Sequence, residues 1–179
     1  MLPSLNQCHS NLDQALGCMP AVPGYFQAIR TVCDKHGALL IFDEVMCGMG
    51  RTGTTHAWEQ EHVLSDIQTI GKGLGGGYAP VAAILMGHRV FDTFRAGTGT
   101  FIHGQTYQGH PVSCAAAIEV QRIIREEDLL QNVRTMGQLL GALLHDQLGS
   151  IHPHVGNIRG RGLFWGVSIH AYSACAPHH

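Results

Sequence analysis

Five apolar residues in succession, Ala38-Leu39-Leu40-Ile41-Phe42, stop without transition at Asp43-Glu44. A strand with one wet face alternates apolar and polar residues, whereas an unbroken short apolar run fits a strand buried on both faces, as in parallel sheets. The segments around it are those that a covered sheet needs. Tyr25, Phe26, Ile29, Val32 and Cys33 fall on one face at helical spacing, and Gly37 follows as a stop signal. Asp66 to Ile70 reads as a second strand and Val81 to Met86 as a third, with a glycine-rich loop between them. Pro111 to Arg125 reads as a helix with proline in its first turn, and Leu129 to Leu148 as another, with apolar residues at 129, 130, 133, 136, 139, 140, 143 and 144. Gly162 to Ile169 looks like a further strand, while Met1 to Leu16 is polar and without pattern. Helices alternating with buried strands predict an α/β domain with a mainly parallel sheet flanked by helices. Glu126-Glu127-Asp128 interrupts the helical stretch and suggests a domain boundary near residue 126.

Composition narrows the partners. With 179 residues the chain holds one domain with a real core, or one domain and part of another. A net charge of −2 gives no footing for nucleic acid or a membrane surface. The longest apolar run, Val81 to Met86, is far short of a membrane span. No Lys or Arg precedes Arg30, so neither a secretory signal nor an Arg-rich transit peptide is expected. Six scattered cysteines then read as reduced and mostly buried, and the expected location is cytoplasmic. Thirteen histidines include His152-Pro153-His154 and His178-His179, but neither pair has helical i, i+4 spacing or an acid or thiol to complete a ligand set, so no metal site is expected.

The chain has only two lysines. Lys35 sits in the last turn of the first expected helix, where a cation complements the helix dipole. Lys72 follows a strand and is embedded in Gly71-Lys72-Gly73-Leu74-Gly75-Gly76-Gly77. A P-loop requires a glycine where Asp66 stands and Ser or Thr where Gly73 stands, so it fails. Gly71, Gly73 and Gly76 satisfy Gly-x-Gly-x-x-Gly, yet a dinucleotide loop must open a helix, and Tyr78-Ala79-Pro80 with a strand-like run follows instead. A Schiff-base lysine remains. Pyridoxal phosphate at such a lysine needs a carboxylate to keep its ring nitrogen protonated, buried and fixed at the carboxyl end of a sheet strand. Asp43 is in that place, although an aspartate that merely closes a buried strand is common.

Longer motifs carry a resemblance. Gly37 to Val45 with Gly48-Met49-Gly50-Arg51-Thr52-Gly53, then Asp66 to Pro80, then His103-Gly104-Gln105-Thr106-Tyr107-Gln108-Gly109-His110-Pro111 before Ala115-Ala116-Ala117, resemble in order and spacing the class III aminotransferases, from about Leu16 to Ile169. The resemblance implies the fold-type-I architecture of pyridoxal-phosphate enzymes and transfer of an amino group from an amine or amino acid to an oxo acid or aldehyde. It implies that Asp43 pairs with the pyridinium, that Val45 packs on a face of the ring, and that Lys72 forms the internal aldimine and then serves as proton-transferring base. It further implies that Thr106 binds cofactor phosphate across a homodimer. By itself Thr106 is an ordinary loop hydroxyl. Arg51 fits loop positioning as well as substrate contact, and Tyr107 fits support of the phosphate loop as well as core filling.

A complete member of that family resembles this chain plus a long stretch on either side. The resemblance therefore implies that residues 1–126 are part of a large cofactor-binding domain, and that residues 127–179 are an interdomain helix and the start of a smaller domain. It leaves without counterparts here a Gly-Ser/Thr phosphate turn, a ring-stacking aromatic, a Glu-Pro motif before Gly17 and a substrate-carboxylate arginine after Ile169. Both ends read as departures from a longer gene. Two other readings stay open: an impaired or inactive remnant, or a related aminomutase or decarboxylase.

Overall fold

The computed structural model describes residues 17–149 and 151–169, together with the backbone of residues 7–8 and 12–13. Eight strands and four α-helices run along them: β1 (Gln7–Cys8), β2 (Leu12–Asp13), β3 (Met19–Pro20), α1 (Tyr25–His36), β4 (Ile41–Asp43), β5 (Ile67–Ile70), β6 (Ala83–Met86), α2 (His88–Ala96), α3 (Pro111–Glu126), α4 (Leu129–Leu144), β7 (Val155–Arg161) and β8 (Phe164–Ile169). The main sheet has the order β1-β4-β5-β6. Its β1–β4 and β4–β5 pairings are parallel, and β5–β6 is antiparallel. The short pairings at β1 and β2 fall in a stretch whose sequence showed no pattern.

The antiparallel return of β6 follows from its connection. A parallel neighbour needs a crossover of a dozen or more residues, usually through a helix. Residues 71–82 contain a single 3-10 turn, Lys72–Gly75, so the chain folds back alongside β5. The same turn, with a strand after it, is unlike a dinucleotide-binding loop.

Helix α1 ends where glycine was expected. Gly37 adopts φ 65°, and its N–H reaches back to Asp34 and Cys33 carbonyls. The face that α1 turns inward is narrower than its apolar pattern suggests. Phe26 and Cys33 are buried and Ile29 packs partly, while Tyr25 and Val32 are exposed. These side chains meet Ala38, Leu40, Phe42 and Val63 in the principal core, where Phe26 and Phe42 rings contact edge to face at 5.2 Å.

Only one face of the β4–β5 pair is fully covered. Leu40, Phe42, Gln68 and Ile70 are buried, whereas Ile41, Ile67 and Thr69 are half-buried and Asp43 is exposed. Strand alternation accounts for the division, because successive side chains point to opposite faces. The expectation of burial on both faces is thus met on one face alone among the described residues.

Helices α3 and α4 meet at Glu127–Asp128, where Asp128 takes φ 48°. Beyond α4 a π-helical turn, His145–Gly149, leads to the β7–β8 hairpin. Gly162 turns the hairpin with φ 57°, and a Cβ there would come within 2.5 Å of the Thr52 backbone. Gly137 of α4 passes under the same turn, its missing Cβ 2.3 Å from Gly162 O. Cys33 and Cys47 are buried, Cys18 is half-buried and Cys114 is exposed, so burial of cysteines is less general than expected.

Candidate active site

Two neighbouring parallel strands bring Asp43 and Lys72 to one edge of the sheet. Asp43 is the last residue of β4 and pairs in register with Thr69 of β5. Lys72 follows β5 after Ile70-Gly71. Ligands of open α/β sheets bind at this carboxyl edge.

Asp43 is fixed but not buried, against the expectation of burial. Its Oδ1 accepts hydrogen bonds from the Val45 N–H at 3.0 Å and the Thr69 hydroxyl at 3.2 Å. Among the described residues Oδ2 has no partner. The anchored oxygen sets the direction of the carboxylate, and the other stays open to a donor above the sheet. Lys72 is exposed at φ 41°, a left-handed conformation that costs a lysine strain energy. Its Nζ makes no ion pair or hydrogen bond among the described residues. Val45 lies between the two: its Cγ1 stands 3.4 Å from where a Cβ of Gly71 would be. An apolar wall thus joins the acid to the base of the lysine.

A cavity of about 530 Å³ opens on the other side of Lys72, walled by Met46, Met49, Val120, Ile124 and Leu130. Its size falls in the range of small-molecule sites. Asp43 and Val45 do not line it, so Lys72 belongs to both the cavity and the sheet edge. Arg51 also borders it, and its carbonyl accepts from Leu163 N–H at 3.1 Å.

Thr106 is not gathered into this group. It lies in an exposed turn before α3 and makes no hydrogen bond among the described residues. Tyr107 beside it is 72% exposed, which removes core filling as its role within this chain. Lys35 is exposed in the last turn of α1, as expected for a dipole-complementing cation. The His152 and His154 rings meet tilted, with centroids 5.5 Å apart, and no three metal-ligating side chains converge among the described residues. His178 and His179 lie outside the described residues. None of the described helices is long and apolar enough to cross a membrane.

One group escaped the sequence reading. Glu44 follows Asp43 directly but turns to the interior face, where its exposure is 0%. Its Oε2 accepts from Ala57 N–H at 2.9 Å and Gln68 Nε2 at 2.9 Å, and its Oε1 from Trp58 N–H at 2.7 Å. Gln68 is fully used: its Oε1 accepts from Trp58 Nε1 at 3.1 Å, and its Nε2 also reaches His56 Nδ1 at 2.8 Å. With both amide hydrogens committed, His56 Nδ1 is the acceptor and its ring is neutral. Burial pushes the Glu44 carboxyl up to about 7, against the pull of the Ala57 and Trp58 N–H groups. Burial also lowers His56, with Glu59 opposing. The only sequence signal for this group was the second acid of Asp43-Glu44.

The edge so built has counterparts. The profile of the family "Aminotransferase class-III" matches residues 13–176, and this chain belongs to that family. An aminotransferase of Gibberella zeae is 64% identical over 154 residues, 86% of this chain and 30% of that protein. Among solved structures, an (S)-enantioselective omega-transaminase from Thermomicrobium roseum superposes with a TM-score of 0.85 at 37% identity, over 91% of this chain and 36% of the other. A taurine:2-oxoglutarate aminotransferase from Bifidobacterium kashiwanohense, solved in complex with PLP and glutamate, gives 0.85 at 34% identity, again over 91% and 36%. These neighbours share the fold type I architecture expected above. The chain spans about a third of the length of the relatives it matches.

Proposed function

We propose that this chain provides the cofactor-holding edge of an enzyme that moves an amino group from an amine or amino acid to an oxo acid or aldehyde, with pyridoxal 5'-phosphate as cofactor. The observation that carries the reading is an anchored carboxylate, Asp43, and a lysine, Lys72, both with an open polar atom among the described residues, at the carboxyl ends of adjacent parallel strands. That donor set fits the cofactor: an acid for its ring nitrogen, an amine for its carbonyl carbon, and the apolar Val45 for the ring between them.

When bound, the cofactor supplies an electron sink for bond cleavage next to the amino group. Asp43 Oδ2 accepts a hydrogen bond from the ring N–H and keeps that proton in place. A charge-assisted bond of this kind contributes about 1.5–3 kcal/mol. Lys72 Nζ would hold the cofactor at its carbonyl carbon and, as a free amine, would serve as the general base for the substrate proton. Val45 would give the ring an apolar wall. Thr106 binds phosphate for the site of a second copy, a reading supported by its distance from Lys72 in the chain and by exposed apolar neighbours Ile102 and Val112. Residues 1–126 then form part of the cofactor-binding domain, and residues 127–179 begin a second one.

Borohydride reduction with pyridoxal phosphate followed by peptide mapping tests the assignment. Label on Lys72 is expected. Label on Lys35 with Lys72 unmodified rejects it.

A further inference from the structure

We propose that Glu44 is a positioning residue for Asp43: its buried carboxyl group, locked by Ala57, Trp58 and Gln68, holds the turn whose Val45 N–H aims the Asp43 carboxylate. The inference rests on the assignment of Asp43 given above.

Asp43 by itself has little to orient it. It is exposed, and one of the two hydrogen bonds that direct it comes from its own neighbour two residues on. The direction of Asp43 therefore depends on where the Glu44–Gly48 turn places the Val45 N–H. Three attachments of that turn run through Glu44 itself, beside the Thr52 hydroxyl bond to Cys47 O at 3.2 Å. Glu44 N–H donates to Thr69 O at 2.9 Å, and Gly48 N–H closes the turn on Glu44 O at 3.0 Å. The third is the Glu44 side chain, which points through the sheet to the opposite face and ties the turn to residues 56–58 and to Gln68.

The chain is shaped around that tie. A Cβ at Gly48 would come within 2.8 Å of Glu44 O and 3.1 Å of Oε2, so the glycine lets the turn close over the carboxyl. Gln68 is the in-register partner of Phe42, one residue before the Thr69 that binds Asp43. Adjacent residues of β5 thus hold adjacent acids from the two faces of the sheet, Thr69 holding Asp43 and Gln68 holding Glu44. The charged and titratable groups facing Glu44 are His56, with Nδ1 at 3.8 Å, and Glu59, whose carboxylate accepts from His56 N–H. Neither neutralises Glu44 as an ion pair would, because His56 Nδ1 already accepts from Gln68. A buried acid with three N–H donors and no committed cation is an expensive way to close a loop, since an apolar contact would do so without desolvating a carboxyl group. Its geometry is explained by the precision it gives to Asp43.

The test compares three variants of this segment placed in register within the Gibberella zeae relative, 64% identical over the matching residues, with and without the cofactor. Glu44→Gln places an amide donor against N–H donors. Gln68→Met removes the side-chain donor to Glu44 and leaves both backbone donors. Asp43→Asn is the reference. In the absence of cofactor, E44Q is expected to speed amide exchange at Val45, Ala57 and Trp58 about tenfold while leaving Phe42 unchanged, as a local opening does. In the loaded protein it slows the half-reaction with an amine about tenfold, since displacement of a reacting group by an ångström costs up to about a hundredfold. Gln68→Met is expected to shift the same amides in the same direction by a smaller factor, and it carries the test if E44Q does not fold. Unchanged exchange at Val45 in the variants that fold overturns the inference, as does a slowed half-reaction in a variant whose Val45 exchange is normal. A slow D43N beside a normal E44Q overturns the inference alone. A D43N protein that reacts normally overturns the assignment of Asp43, and this inference with it.

Discussion

Asp43 and Glu44 are consecutive acids with opposite surroundings, because a strand sends successive side chains to opposite faces. Asp43 is exposed and keeps one carboxylate oxygen without a partner among the described residues, which predicts a larger effect on chemistry than on folding. Asp43→Asn preserves shape but cannot hold a ring nitrogen protonated. Loss of a bond worth about 1.5–3 kcal/mol is expected to slow the amine half-reaction about tenfold to a hundredfold, measured by stopped-flow absorbance, with the denaturant midpoint little changed. Glu44 makes the reverse prediction. Its carboxyl is held up to about 7 against an ordinary 4.5, so between those pH values the folded chain binds a proton that the unfolded chain has released. Stability should therefore fall as pH rises through this window, by about 3 kcal/mol from this group. His56, lowered from 6.5, acts in the opposite sense, adding stability as pH rises toward 6.5. Urea midpoints at pH 4.5 and 7.5 should show a smaller fall, or a rise, in E44Q than in the unaltered chain; an identical pH dependence would exclude Glu44 as its source. The sequence displayed Asp43 and Lys72 because one ends an apolar run and the other sits in a glycine loop. It hid Glu44, because the groups that bury it arrive from Ala57, Trp58 and Gln68, and an acid following an acid looks solvated.

Helix α1 and strands β4, β5 and β6 were legible from periodicity and from Gly37, whose conformation is the one a helix stop requires. Strand β7 and helix α2 were not, nor were the two-residue strands β1, β2 and β3. Strand β7, Val-Gly-Asn-Ile-Arg-Gly-Arg, carries two glycines and two arginines and pairs because β8 lies beside it, with Arg161 Nη1 bonded to Glu61 at 2.7 Å. Helix α2 is short, and Val90 alone of its apolar residues is buried while Phe91 and Phe94 are exposed, so no apolar stripe marks its inner face. The direction of β6 was readable in principle from the length of residues 71–82, a constraint of chain geometry that periodicity does not express. Glycines separate helix termination from element docking. Gly37→Ala meets no atom within 4 Å and pays only for its left-handed backbone, about 1 kcal/mol. Gly162→Ala adds the same backbone strain and forces Cβ into the Thr52 backbone, so about 3 kcal/mol or more is expected, with the β7–β8 hairpin displaced from α4. Thermal unfolding of the two variants measures the difference; equal losses would mean that the hairpin does not need this close approach.

At the scale of the whole chain, the sheet edge carrying Asp43 and Lys72 faces outward, and apolar side chains stand exposed on the same molecule. Tyr78 is 85% exposed, Ile102 90%, Ile118 71% and Val112 69%. Single exposed apolar residues are ordinary, but these come from the glycine loop, the turn region before α3 and α3 itself, and α3 packs on that loop. Exposed apolar surface on neighbouring elements favours association. The site shares the weakness: Asp43 and Lys72 are on one edge, while nothing among the described residues other than Thr106 is a candidate to hold phosphate, and Thr106 is elsewhere. Covalent attachment at Lys72 would leave a ring free to turn, and an ångström of misplacement costs up to about a hundredfold in rate. The 179-residue chain by itself is therefore expected to take up pyridoxal phosphate weakly, to self-associate at micromolar concentration and to show little transfer of amino groups. Placed in register within the Gibberella zeae relative, whose matching segment is 64% identical, the same residues should bind the cofactor stoichiometrically and react with amines. Sedimentation velocity, absorbance titration with pyridoxal phosphate and an amine panel on both proteins measure the contrast. A monodisperse 179-residue chain that holds the cofactor one to one and turns over would show that the edge built by β4, β5 and the Gly71–Gly77 loop is sufficient for catalysis.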